Sequence, residues 1–76
     1  MRVFTAMQVF NRVAELKGFA AAARDLGIST SSVSRHVSDL EDELGVRLFN
    51  RTTRRLSLTD DGAEYQTRST AILQDL

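Results

Sequence analysis

The stretch FAAAARDLGISTSSVSRHVSDLEDELG, residues 19–45, carries signals for two helices and the turn between them. Gly27 predicts the end of a short helix over 19–26, because glycine readily adopts the left-handed conformation that closes a helix. Ser29 is a favoured N-cap for a second helix over about 30–44, and Gly45 closes that helix. Ala23, Gly27 and Val33 have the spacing of a helix-turn-helix: close helix approach, a turn, and an apolar lock.

The helix predicted over 30–44 is polar on one side and apolar on the other. At 100° per residue, four apolar residues fall within about 60° of one another and form a narrow stripe: Val33, Val37, Leu40 and Leu44. Hydroxyls and an arginine occupy the face turned away from this stripe, in the first two turns: Thr30, Ser31, Ser34 and Arg35.

This polar face suits the major groove of DNA. A helix N-terminus attracts phosphate, small hydroxyls let the backbone come close, and arginine bonds guanine O6 and N7 in bidentate fashion. Serines at a helix start also occur simply as caps and solvated surface, so the face alone leaves both interpretations open.

The remaining segments predict two further helices and a hairpin. Apolar periodicity predicts a helix over 3–17, with Gly18 as a left-handed stop. Residues 46–50 and 55–58 suit two short strands, with 51–54 as their turn. A fourth helix follows, and Thr59 is its N-cap. The fold class is therefore mainly α with a small β-hairpin.

Composition limits the class of protein. The 76 residues suffice for one small domain, and ten basic residues balance ten acidic ones. The charges are segregated, and local potential decides where a polyanion docks. One block is acidic (Asp39, Glu41, Asp42, Glu43), and the following one is basic (Arg47, Arg51, Arg54, Arg55).

Catalysis, cofactors and membranes are not expected. The chain has no cysteine and a single histidine, His36, with no spacing that suggests a nucleophile and its base. No apolar run is long enough to span a membrane, and the N-terminus does not resemble a signal peptide. We therefore expect a cytoplasmic protein that is not an enzyme and holds neither cofactor nor metal.

The segments FAAAARDLGIS and VSRHVSDLEDELGVRLFNRTTRRLSLTDDG, with the helix before them, resemble the DNA-binding domain of LysR-type transcriptional regulators. The resemblance spans nearly the whole chain. It implies a winged helix-turn-helix over 1–58 and a long linker helix over 59–76, without the effector-binding domain that normally follows. A small-molecule effector would act only through that missing domain.

The resemblance also implies a function and its residues. It implies sequence-specific binding of bacterial promoter DNA by a homodimer at an interrupted dyad. Thr30, Ser31, Ser34 and Arg35 would face the bases. In the wing, residues 46–58, Arg54 would enter the minor groove, while Arg51 and Arg55 would hold phosphate or fold the wing. The family often has glutamine then proline where this chain has Thr30 and Ser31.

Two alternatives stay open. A winged helix can also serve as a protein–protein interaction module, which the neutral net charge would suit. The fourth helix carries an apolar stripe that packs either on the first helix of its own chain or on a partner: Tyr65, Ser69, Ile72 and Leu76. In a dimer, a second stripe on the first helix would form the opposing wall: Val9, Val13 and Leu16.

Overall fold

The computed structural model describes residues 3–51 and 56–75. The elements are α1 (Val3–Leu16), α2 (Phe19–Leu26), α3 (Thr30–Leu44), β1 (Phe49–Arg51), β2 (Leu56–Leu58) and α4 (Asp60–Gln74). The predicted class, mainly α with one hairpin, is confirmed. Among the described residues, no helix has both the length and the apolar character needed to cross a membrane.

Local capping signals explain why α2 and α3 begin and end where the sequence predicts. Gly27 and Gly45 both have φ of 71°, in the left-handed region. The Ser29 hydroxyl accepts a hydrogen bond from the backbone N–H of Ser32 at 3.1 Å. Each signal satisfies backbone groups that the helix end would otherwise leave unpaired, so residues near in sequence fix these bounds.

The end of α1 differs from the prediction. Lys17, with φ of 57°, is the left-handed residue, whereas Gly18 is extended, with φ of −175°. The helix stops at Leu16, so the left-handed step falls one residue before the glycine. Gly18 instead begins α2, and its carbonyl accepts a hydrogen bond from the Ala22 N–H at 3.2 Å.

The first three helices and the hairpin enclose one core. Its largest fully buried side chains include Phe10, Val13, Val33, Leu40 and Leu48. The Phe10 ring lies 5.2 Å from that of Phe49, so β1 closes the core that the helices begin. Aromatic pairs at this spacing contribute beyond the apolar area they bury.

The second stripe of α1 belongs to this core rather than to a dimer wall. Val9 and Val13 are 4% and 0% exposed, in one apolar cluster with residues of α2, α3 and β1. Only Leu16 of the stripe is exposed. The prediction that this stripe faces a partner is therefore wrong for both valines, because the chain's own elements cover them.

The hairpin is shorter and later than predicted. Its antiparallel register pairs Phe49 with Leu58 and Arg51 with Leu56. The first strand begins at Phe49 rather than at residue 46, and Arg51 belongs to it rather than to the turn. The Leu48 N–H bonds to a carboxylate of α3 rather than to a neighbouring strand, which delays the ladder. The predicted turn residues 52–54 and residue 55 lie outside the described residues.

The start of α4 is fastened to the segment before the hairpin. The Thr59 hydroxyl accepts from the Gly62 N–H at 2.9 Å and donates to the Arg47 carbonyl at 2.6 Å. The Thr59 N–H donates to the Leu48 carbonyl at 3.0 Å. Gly62 is buried against Leu48, so the helix approaches that backbone closely.

The first half of the α4 stripe packs on the chain's own α1. Tyr65 meets Phe10 edge to face at 5.3 Å, and the buried Ser69 hydroxyl donates to Asn11 Oδ1 at 3.2 Å. Ile72, one turn later, is 49% exposed, and Leu76 lies outside the described residues. The chain itself therefore covers only part of the stripe.

Candidate nucleic-acid interface

The predicted base-facing residues share one accessible face of α3. Thr30, Ser31 and Arg35 are exposed and Ser34 is half-buried. The opposite side of the helix packs into the core, where Val33, Val37 and Leu40 are buried. The polar face is therefore turned away from the core.

The hydroxyls at the start of α3 form a small hydrogen-bonded cluster. The Ser29 hydroxyl lies 3.1 Å from that of Ser31 and donates to that of Ser32 at 2.9 Å. A shallow depression beside this cluster is lined by Ser31, Ser32, Arg35 and His36. Hydroxyls and a guanidinium at a helix N-terminus can bond base edges and phosphate oxygens.

The acidic block of α3 is not uniform. Asp39, Asp42 and Glu43 are exposed, but Glu41 is only 5% exposed. Glu41 therefore differs from the other acids of the block in its surroundings. Its side chain lies beside Leu40 on the edge of the buried stripe, where the hairpin packs over it.

Glu41 joins α3 to the hairpin through both carboxylate oxygens. Oε2 accepts from the backbone N–H of Leu48 at 2.8 Å and of Phe49 at 3.4 Å. Oε1 pairs with Arg51 Nη2 at 3.2 Å and with Arg47 Nη1 at 3.6 Å. A buried carboxylate with this many partners is compensated for the water it has lost.

Arg51, a predicted DNA contact, also makes contacts within the fold. Its guanidinium pairs with Glu41 and lies 5.2 Å from the ring centroid of Phe19, at the start of α2. These contacts join β1 to α2 and α3, and both predicted roles of Arg51, folding the wing and contacting phosphate, stay predictions. Arg54 and Arg55, the other predicted wing contacts, lie outside the described residues.

Sequence reasoning missed two residues that connect the helices to β1: Glu41 of α3 and Phe19 of α2. The signal for Glu41 was its position directly after Leu40, next to the buried stripe, followed by two basic residues at Arg47 and Arg51. That signal is weak, because acids beside a stripe usually remain in solvent.

A second ion pair joins α1 to α2 on the surface. The Arg12 guanidinium donates to both carboxylate oxygens of Asp25 and also pairs with Glu15. The hydrogen bond from Arg12 holds the pKa of the Asp25 carboxyl below its usual value, and the same bond raises the pKa of Arg12. The pair connects the two helices that support the turn before α3.

Comparison with known proteins agrees with this arrangement. A family model described as "Bacterial regulatory helix-turn-helix protein, lysR family" matches residues 4–63. The regulator CrgA of Neisseria meningitidis serogroup B is 50% identical over 70 residues, covering 92% of this chain and 23% of CrgA. The transcriptional activator AaeR of Escherichia coli K12 is 54% identical over 59 residues, 78% of this chain and 19% of AaeR.

Solved structures show the same fold in complexes with DNA. The BenM_DBD complex with catB site 1 DNA superposes with a TM-score of 0.92 at 29% identity, covering 99% of this chain and 83% of that one. The CbnR_DBD–DNA complex superposes with a TM-score of 0.89 at 35% identity, covering 93% of this chain and 82% of that one. Against full-length relatives the chain spans about a quarter of their length, 24% in full-length BenM.

Proposed function

Because this chain belongs to the lysR family of bacterial regulatory helix-turn-helix proteins, we propose how its DNA-binding domain reads DNA. In the proposal α3 enters the major groove, and the hairpin lies on the adjacent backbone or minor groove. The observation that carries it is the exposed polar face of α3, opposite an apolar side on which Val33, Val37 and Leu40 are buried and Leu44 alone is exposed.

In this proposal each residue of the polar face of α3 has its own role. Arg35 reads guanine in bidentate fashion, because its planar fork matches O6 and N7. Thr30, Ser31 and Ser34 bond base edges or phosphates at short range, since their side chains are small. From the wing, Arg54 enters the minor groove, while Arg51 and Arg55 contact phosphate or support the wing.

The regulator acts in this proposal as a homodimer on an interrupted dyad of promoter DNA. A two-fold dimer presents two copies of α3 to one face of the duplex. Two exposed apolar positions support it: Ile72 near the end of α4, and Val3 with Phe4 in the first turn of α1. Residues 59–76 and the first helix therefore stay as the proposed interface, with Val3 and Phe4 in place of Val9 and Val13.

Arg35→Ala tests the groove assignment directly. A duplex is first selected from a random library by the wild-type chain, and its affinity is compared with that of a scrambled duplex. Loss of a bidentate base contact costs about 1–3 kcal/mol, so the specific affinity of R35A should fall roughly 5- to 150-fold, while affinity for the scrambled duplex changes little.

Arg24→Ala is the matched control. Arg24 is an exposed arginine in the last turn of α2 and has no role in the proposed base contacts or dimer interface. The R24A variant removes the same charge and should leave the specificity ratio intact. If R35A kept the wild-type ratio, Arg35 would not read bases; if the wild type selected no duplex, the protein-interaction module would become the better interpretation.

A further inference from the structure

We infer that Glu41 is a positioning residue that sets the angle between the reading helix and the wing. The inference rests on the proposed function, since it concerns how two DNA-contacting elements are held relative to each other. Glu41 need not touch DNA to do this, and it is almost completely buried.

The connector between α3 and β1 is tied to Glu41 along its whole length. The Glu41 carbonyl accepts from the N–H of Gly45 at 2.8 Å and of Val46 at 3.3 Å. Its carboxylate then accepts from the N–H of Leu48 and Phe49. The backbone N–H groups of four of the five residues after Leu44 thus bond to one residue of α3, and the side chain of the fifth, Arg47, pairs with it.

The other carboxylate oxygen extends this anchor to the last residue of β1. Arg51, at that end, pairs with Oε1 and lies over the Phe19 ring of α2. The Arg51 side chain of β1 therefore contacts both α3, through Glu41, and α2, through Phe19. A two-stranded hairpin is marginal by itself, so contacts of this kind determine where it points.

A buried charge is a poor way to gain stability alone. Well-packed apolar side chains of similar volume often stabilise a site as well as a buried ion pair does, or better. What a carboxylate adds here is direction, because one oxygen accepts from the N–H groups of Leu48 and Phe49 while the other pairs with the Arg51 guanidinium. We therefore expect removal of the charge to alter wing geometry more than it alters folding.

The sign of the effect on DNA binding separates positioning from simple electrostatics. Removing a negative charge near a polyanion strengthens binding, since fewer like charges repel the phosphates. Removing a residue that orients the wing weakens binding, because wing contacts with phosphate are lost. Glu41→Gln should therefore bind its selected duplex about tenfold more weakly than the wild type, with a log-log salt slope shallower by about one.

Asp42→Asn is the matched control, since Asp42 is the adjacent acid of α3 and is exposed. It removes the same charge and should bind as tightly as the wild type or more tightly. Amide NMR shifts of Leu48 and Phe49 should move in E41Q and stay in place in D42N, which reports the loosened connector directly.

The outcomes are separable. If E41Q binds within twofold of D42N, or more tightly, Glu41 is not a positioning residue. If the wild type itself selects no duplex, the proposed function fails instead. If circular dichroism shows that E41Q is unfolded, the double variant E41Q/R51M takes its place, because it removes both charges of the Glu41–Arg51 pair. D42N/R51M is the charge-matched control for this double variant. Weaker binding by the first of these two supports the inference, and equal binding overturns it.

Discussion

Gly62→Ala should destabilise this domain although it places a better helix former inside a helix. A Cβ added at Gly62 would lie 2.0 Å from the Leu48 carbonyl oxygen and 2.9 Å from the carbonyl carbon. Both neighbours are backbone atoms, so no flexible side chain can turn away. The start of α4 must therefore move off the segment that leads into the hairpin.

The magnitude follows from what that movement disturbs. Overpacking a close contact costs about 1–3 kcal/mol. The hydrogen bond from the Thr59 N–H to the Leu48 carbonyl lies at the same contact, and its loss adds about 1 kcal/mol. Exchange of glycine for alanine in a helix returns at most about 1 kcal/mol. The net expectation is a loss of about 1–3 kcal/mol.

Thermal unfolding followed by circular dichroism measures this difference. At about 4–8 °C per kcal/mol for a domain of this size, the melting temperature should fall by roughly 4–24 °C. Ala63→Gly, at the exposed next position, is the control and should cost only the propensity difference of about 1 kcal/mol. Equal or greater stability of G62A would show that the close approach of α4 to Leu48 is not required.

Two further substitutions test local features of α1 and α2. Gly18→Ser should raise the free energy of unfolding by about 0.5–1 kcal/mol, because serine caps α2 and restricts the unfolded chain. The added side chain has room, since a Cβ at this position would meet only the Ala21 Cβ, at 3.9 Å. Thermal melts of G18S against G18A isolate the cap, and equal melting temperatures would contradict it. Asp25→Asn should destabilise near neutral pH, because the folded-state pKa of Asp25 is lowered by Arg12. That contribution is present above the ordinary aspartate pKa of about 3.9 and is lost as pH falls through the lowered value, so the wild-type and D25N stability curves should converge in acid and not at alkaline pH.

Sequence alone was sufficient wherever the deciding signal lies within a few residues of its effect. The bounds of α2 and α3 follow from Gly27, Ser29 and Gly45, each of which satisfies backbone groups of an adjacent turn. The polar face of α3 follows from helical periodicity, since residues of one helix keep fixed angles to each other. Thr30, Ser31 and Arg35 are exposed for that reason.

The tertiary structure decided what depends on residues far apart in the chain. Val9 and Val13 form a stripe that could face a partner, but α2, α3 and β1 cover it. Glu41 belongs to an acidic run, yet it is buried because its partners stand seven to ten positions later. Gly62 counts as a weak helix residue in sequence, whereas in the fold it permits contact with Leu48. Periodicity fixes the angle of a side chain on its own helix but not which other segment packs against that angle.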